Sequence, residues 1–217
     1  MIHYIARFIC WVIIKVYFRC TVLGRGNAPL KGAFIFASNH ASFLDPFLLG
    51  TSISRPLYYM ARETLFARPA GGWILRKIHA FPVNREGGDL SAMRQALRLL
   101  GEGKPLVMFP EGTRTQDGSL QGGKAGIGLI VAKAGVPVLP AYIEGSFKAW
   151  PRGARAMKPY RIKVYIGKPL YFNSSSYKGK DGYQRISEEI MGSITELADE
   201  NLGSAREGVI CSASAVR

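Results

Sequence analysis

Short apolar runs separated by segments of helical period constrain this chain more than any other feature. Ala33-Phe34-Ile35-Phe36-Ala37, Ile78 to Val83, Leu106-Val107-Met108-Phe109 and Val136 to Ile143 each have the length of a buried strand. Ile162, Val164 and Ile166 alternate as a fifth. Helices are expected between them. Asp45-Pro46 reads as an N-cap followed by the first helical residue. Leu90, Met93, Leu97 and Leu100 have helical spacing, with Asp89 placed to cap them and Gly101 to end them. A further helix fits 126–134, and Ile186, Ile190, Ile194 and Leu197 mark a C-terminal one. Strands alternating with helices predict an α/β fold, a single domain with a mostly parallel or mixed sheet flanked by helices. No linker or repeat divides the chain, so residues 24–202 read as that domain. Residues 203–217, small and polar, read as a loose tail.

With 217 residues, 47% of them apolar, the chain can bury one sizeable core. No stretch of about 18 residues is apolar and free of charge, which excludes a multi-span membrane protein. Cys10, Cys20 and Cys211 are odd in number and in no metal-ligand spacing, so neither a disulfide framework nor a zinc site is expected. A reducing compartment fits that usage. Lys and Arg number 29 against 15 Asp and Glu, a net charge of +14, and the excess is concentrated. Residues 1–44 carry Arg7, Lys15, Arg19, Arg25 and Lys31 without a carboxylate. Residues 145–180, again without one, carry Lys148, Arg152, Arg155, Lys158, Arg161, Lys163, Lys168, Lys178 and Lys180. Such segments suit phospholipid headgroups, phosphorylated ligands or nucleic acid. No RNP-like aromatic signature or zinc-finger spacing supports nucleic acid, which is therefore not expected as a partner.

Residues 1–23 point toward lipid. Ile2, Ile5, Ile9, Val12, Ile13, Val16 and Tyr17 fall on one side of a helix, with Arg7, Lys15 and Arg19 on the other. Charges interrupt the run and no small-residue cleavage site follows, unlike a secretory signal. The expectation is an amphipathic helix lying in the membrane interface; the alternative is an N-terminal helix packed on the domain core.

Three strand ends carry the candidate chemistry. The first runs into Ser38-Asn39-His40-Ala41-Ser42-Phe43-Leu44-Asp45-Pro46, where His40 and Asp45 flank a short loop. An Asp on one imidazole nitrogen fixes the tautomer and leaves the other nitrogen to accept a proton, which makes a general base. Ser42 lacks the glycines of a nucleophile elbow. The third strand ends in Phe109-Pro110-Glu111-Gly112-Thr113-Arg114, at the sheet edge where open α/β folds bind ligands. Arg114 offers a planar fork suited to phosphate. The second ends in Phe81-Pro82-Val83-Asn84-Arg85, a further cation, and Lys124 precedes a helix N-terminus. Glu111 also has a structural reading, holding the loop by accepting backbone N–H groups. His79 has no assignable role and is expected in the core.

In order and spacing, Asn39-His40 through Asp45, Phe81 to Arg85, Phe109 to Arg114 and Val136-Pro137-Val138-Leu139-Pro140 resemble the four motif blocks of the glycerolipid acyltransferases, the bacterial 1-acylglycerol-3-phosphate branch above all. The resemblance implies that His40 and Asp45 are catalytic. It implies that Arg85, Glu111, Gly112, Thr113 and Arg114, with Lys124 as a looser transfer, bind the glycerol phosphate. The implied reaction moves an acyl group from acyl-CoA or acyl-carrier protein to the sn-2 hydroxyl of lysophosphatidic acid, without metal or cofactor. The implied setting is the membrane surface, on the cytoplasmic face of the inner membrane. Two alternatives remain open: another lysophospholipid or an acylated amino-acid lipid as acceptor, and a non-catalytic basic membrane-binding module.

Overall fold

The computed structural model describes residues 8, 11–67, 69–84 and 89–214. Seven strands form one sheet: β1 (Thr21–Leu23), β2 (Ile35–Ser38), β3 (Tyr58–Arg62), β4 (Ala80–Val83), β5 (Leu106–Met108), β6 (Val138–Glu144) and β7 (Lys163–Ile166). Their spatial order is β1-β7-β6-β2-β5-β3-β4. The five from β6 to β4 are parallel; β7 runs antiparallel to β6, and β1 is parallel to β7. The sheet is mixed, as the alternation of elements predicts.

β2 lies at the centre, with Ile35 in register with both Leu106 and Val138. Every one of its residues is buried, because helices cover both faces of the sheet. Side chains alternate between those faces. Phe34 and Phe36 pack with Leu139, Val107 and Val164 against Leu48 and Leu49 of α2 (Asp45–Ser52), and Ala149 of the short α6 (Ser146–Ala149) belongs to the same cluster. Ile35 and Ala37 point the other way, to a layer made by α4 (Leu90–Gly101), α5 (Ala125–Ala134) and α7 (Gly179–Ser214). α5 and α7 approach to backbone contact, since a methyl on Gly128 would collide with the Tyr183 carbonyl.

Several expectations are refined. Asp89 caps α4 as expected, accepting from the Ser91 and Ala92 N–H groups. The turn that ends α4 uses Gly103 at φ 76°, two residues beyond Gly101. Strands β1 and β3 and helix α3 (Pro69–Lys77) lack a strong local signal, being short or only half-buried. His79 precedes β4 at φ 64°, half-buried, its ring stacked on Tyr58 at 4.7 Å. It belongs to a turn and not to the core. α7 continues through Ser214, over most of the segment read as a loose tail.

At the N-terminus residues 11–16 are helical (α1), and Ile2, Ile5, Arg7 and Ile9 lie outside the described residues. Ile14 and Phe18, one turn apart, are buried in the core. Val12, Ile13, Val16 and Tyr17 of the expected apolar stripe are exposed. The segment therefore docks on the domain by one edge and turns its apolar stripe outward. Among the described residues no helix is long and apolar enough to cross a membrane.

Candidate active site

The site forms where β2 and β5 end side by side. Asn39 fixes the end of β2 across the sheet: its Oδ1 accepts the Ile143 N–H at 2.8 Å and its Nδ2 donates to the Ile143 carbonyl at 3.1 Å. The chain then turns through His40 into α2. Asp45 is the first residue of that helix, and its N-cap is Leu44. Its carboxylate reaches backward instead of capping α2. Oδ2 accepts the Ala41 and Ser42 N–H groups, each at 2.7 Å, and lies 2.9 Å from His40 Nδ1. The expected N-cap is thus corrected: these upstream N–H groups and the imidazole are its partners.

Both members of the pair are buried, Asp45 completely and His40 at 8% exposure. An ionised carboxylate that already accepts two N–H groups can only accept from the ring as well. In the neutral imidazole this contact places the proton on Nδ1 and the lone pair on Nε2. The ring lies flat on Phe109, centroids 3.9 Å apart and planes within 13°. Ser42 is structural, its hydroxyl donating to the Trp150 carbonyl at 2.7 Å and accepting the Leu44 N–H at 3.1 Å.

The loop after β5 grips His40 from the other side. Glu111 Oε1 accepts the His40 N–H at 2.9 Å, and the Thr115 N–H donates to the His40 carbonyl at 2.9 Å. Both backbone groups of the imidazole residue are held by one loop. Glu111 is 1% exposed, and its Oε2 has no hydrogen-bond partner among the described residues. Burial, reinforced by the nearby Asp45 charge, raises its carboxyl pKa to about 7 against the opposing pull of the His40 N–H. This geometry matches the structural reading of Glu111.

Gly112 takes φ 71°, a conformation that favours glycine, and the Lys124 side chain lies across it: a Cβ there would meet Lys124 Cδ at 3.1 Å and Nζ at 3.4 Å. The Lys124 N–H donates to the Pro110 carbonyl at 2.9 Å, which brings the start of α5 to this loop. Thr113 and Arg114 are half-buried here, and the Arg114 guanidinium carbon lies 3.5 Å from the centroid of Phe43. The structure thus assembles His40, Asp45, Glu111, Gly112, Thr113, Arg114 and Lys124 around adjoining loops. Arg85 lies outside the described residues.

Sequence reasoning missed the apolar half of the site. A cavity of about 440 Å³ opens beside Phe109, bounded by Phe43, Phe47, Leu57, Tyr59, Met60 and Ile74 among others. Gly50 also lines it, where a methyl would collide with the Tyr59 hydroxyl. The aromatic residues inside the two motif blocks were the available signal. Among the described residues no three His, Cys, Asp or Glu side chains are grouped as metal ligands.

A buried His–Asp pair thus stands at the strand ends of an α/β sheet, with cations on the adjoining loop and an apolar cavity beside it. The family model described as Acyltransferase matches residues 19–144, and the chain belongs to that family. The chain is 31% identical over 192 residues to the 1-acyl-sn-glycerol-3-phosphate acyltransferase of Bacillus subtilis, with 87% of this chain and 93% of that protein covered. It is 30% identical to the 1-acyl-sn-glycerol-3-phosphate acyltransferase of Chlamydomonas reinhardtii, with 85% of this chain and 58% of that protein covered. For the chloroplastic BAT2 enzyme of Brassica napus the identity is 29%, with 87% and 56% covered. The chain thus spans somewhat more than half the length of these algal and plant relatives. The crystal structure of the 1-acyl-sn-glycerophosphate (LPA) acyltransferase PlsC from Thermotoga maritima matches with a TM-score of 0.71 at 25% identity, over 91% of this chain and 82% of that one.

Proposed function

We propose that this protein acylates the free sn-2 hydroxyl of lysophosphatidic acid, with acyl-CoA or acyl-carrier protein as donor, to give phosphatidic acid. The carrying observation is the 2.9 Å contact between His40 Nδ1 and Asp45 Oδ2, in a loop tied through both His40 peptide groups to the loop that bears Arg114. His40 Nε2 takes the hydroxyl proton as the oxygen attacks the thioester carbonyl. The tetrahedral intermediate then expels the thiolate, which recovers that proton from the imidazolium. Asp45 keeps the ring in the required tautomer and stabilises its charged form. General-base help of this kind contributes on the order of 10²–10⁴ in rate, with positioning supplying much of the remainder.

Arg114, Lys124 and Arg85 serve the phosphate of the acceptor, while Glu111, Gly112 and Thr113 shape the loop that presents it. The apolar cavity suits an acyl chain, each buried CH₂ adding about 0.8 kcal/mol. The membrane surface supplies the lipid substrate. Support for this comes from the outward Val12, Ile13, Val16 and Tyr17, which line a groove with Arg19, Tyr160 and Arg161 and so set apolar and cationic groups side by side. The expected bound at residue 23 is corrected by β1, which carries Thr21–Leu23 into the sheet of the domain, so the interfacial role falls to the exposed face of α1, on the cytoplasmic face of the inner membrane. The reaction as written needs no metal or cofactor and involves no nucleic acid.

A thiol-release assay with lysophosphatidic acid and acyl-CoA tests the reading. His40→Ala should lower kcat by about 10²–10⁴ without loss of folded protein. Turnover near the wild-type level would remove the general base. An acceptor without the phosphomonoester should be used far less well; equal use would reassign the acceptor.

A further inference from the structure

Phe43 sits in the middle of the His40–Asp45 loop without a chemical group to contribute, yet its surroundings tie two parts of the site together. The Arg114 guanidinium carbon lies 3.5 Å from the ring centroid. That separation is van der Waals contact with the face of the ring; approach from the edge would leave the carbon roughly 5 Å or more from the centroid. Trp150 packs at a tilt against the same ring, centroids 5.6 Å apart. Trp150 is itself anchored, its carbonyl accepting the Ser42 hydroxyl at 2.7 Å and its indole N–H donating to the Ala154 carbonyl at 3.1 Å. The Phe43 ring also lines the apolar cavity and is 42% exposed.

We propose that Phe43 is a positioning residue that holds the Arg114 guanidinium in the orientation needed for the acceptor's phosphate, and that its ring is the shared wall between the phosphate site and the acyl cavity. The proposal rests on the reading of Arg114 as a phosphate ligand. A guanidinium held by its face keeps its N–H groups, which lie in its plane, directed away from the ring. A phosphate can then be met bidentately without first ordering a long side chain. An aliphatic side chain at position 43 would preserve an apolar wall but lack the ring's negative face, and the guanidinium would lose that contact. Two rings thus serve the polar groups: Phe109 lies under the base and Phe43 under the phosphate ligand, and both line the same cavity.

The test is steady-state kinetics on the full chain with lysophosphatidic acid and acyl-CoA varied separately, for Phe43→Leu, Phe43→Trp, Arg114→Ala and the double variant Phe43→Leu/Arg114→Ala. Phe43→Leu should raise the acceptor KM about 5- to 30-fold with kcat within about twofold, and Phe43→Trp should restore most of it. In the Arg114→Ala background, Phe43→Leu should add nothing, because the ring acts through that guanidinium. The proposal is overturned if the two effects multiply, if Trp fails to rescue, or if Phe43→Leu changes the acyl-CoA KM alone. An acceptor KM raised by Arg114→Ala but not by Phe43→Leu removes only the role of Phe43. An acceptor KM unmoved by Arg114→Ala removes the phosphate reading itself, and this proposal with it.

Discussion

The two sides of the site are built to different standards of rigidity. On the base side His40 is held at three points, through its N–H by Glu111, its carbonyl by Thr115 and its ring by Asp45, all buried. On the cationic side Arg114 and Lys124 reach the site on long side chains, Lys124 exposed and Arg114 half-buried against an aromatic ring. The contrast follows from the chemistry. Proton transfer requires a nitrogen within hydrogen-bond reach of the hydroxyl, a tolerance of a few tenths of an ångström. A phosphate is bound by charge and several equivalent oxygens, so an exposed cation such as Lys124 can follow it while Arg114 is steadied on the face of Phe43.

Breaking the rigid side should therefore cost most. Asp45→Asn would put a neutral amide where the carboxylate now accepts from His40 and from two backbone N–H groups. Its kcat should fall on the order of 10²–10⁴-fold, and stability by about 1–3 kcal/mol, read by thiol release and by urea denaturation. A kcat within a few-fold of wild type would show that the imidazole needs no anionic partner.

Glu111 sharpens the comparison on the pH axis. Its carboxyl titrates near 7 in the fold, against the usual value of 4.5, so the folded protein binds this proton more tightly than the unfolded chain. Its contribution is fully present below about pH 4.5 and is lost as pH rises through about 7, a change of roughly 3 kcal/mol. Glu111→Gln keeps an oxygen for the His40 N–H and removes the titration. Denaturation midpoints between pH 5 and 8 should accordingly vary less in the variant than in wild type; parallel curves would show that Glu111 does not titrate there.

The cationic side should respond more mildly. Lys124→Ala should raise the acceptor KM by about 3- to 10-fold with little change in kcat, the behaviour of an exposed charge that adds binding alone. A fall in kcat with KM unchanged would move Lys124 to the rigid side. The smallest effect is expected away from the centre, at α1. Truncation is a poor probe there, because Ile14 and Phe18 belong to the core. Val16→Asp, at a position 72% exposed, should weaken partitioning onto anionic vesicles severalfold and leave the melting temperature unchanged. Unaltered partitioning would argue against the interfacial helix.

Much of this protein is written in local pattern. The parity of Phe34, Ile35, Phe36 and Ala37 separates the two faces of the core, because side chains alternate along any strand. The cap at Asp89 and the helical spacing after it fix α4, since a helix start is decided within a few residues. The motif blocks marked His40, Asp45 and the 111–114 loop for the same reason: each is a short segment at a strand end.

What the pattern lacks is any information about segments distant in the chain that meet only in three dimensions. β1 and β3 become strands because Val22 pairs with Val164 and Tyr59 with Val107, partners that no local window contains. Glu111 turns to the His40 N–H, 71 residues away in sequence, because the ends of β2 and β5 lie side by side. The cavity and the rings of Phe43 and Phe109 exist only once α2, β3 and α3 have packed together. Sequence placed the reacting groups on their loops, since that takes only near neighbours. Tertiary packing set their orientation and enclosed the apolar space, since both depend on residues brought together from opposite parts of the chain.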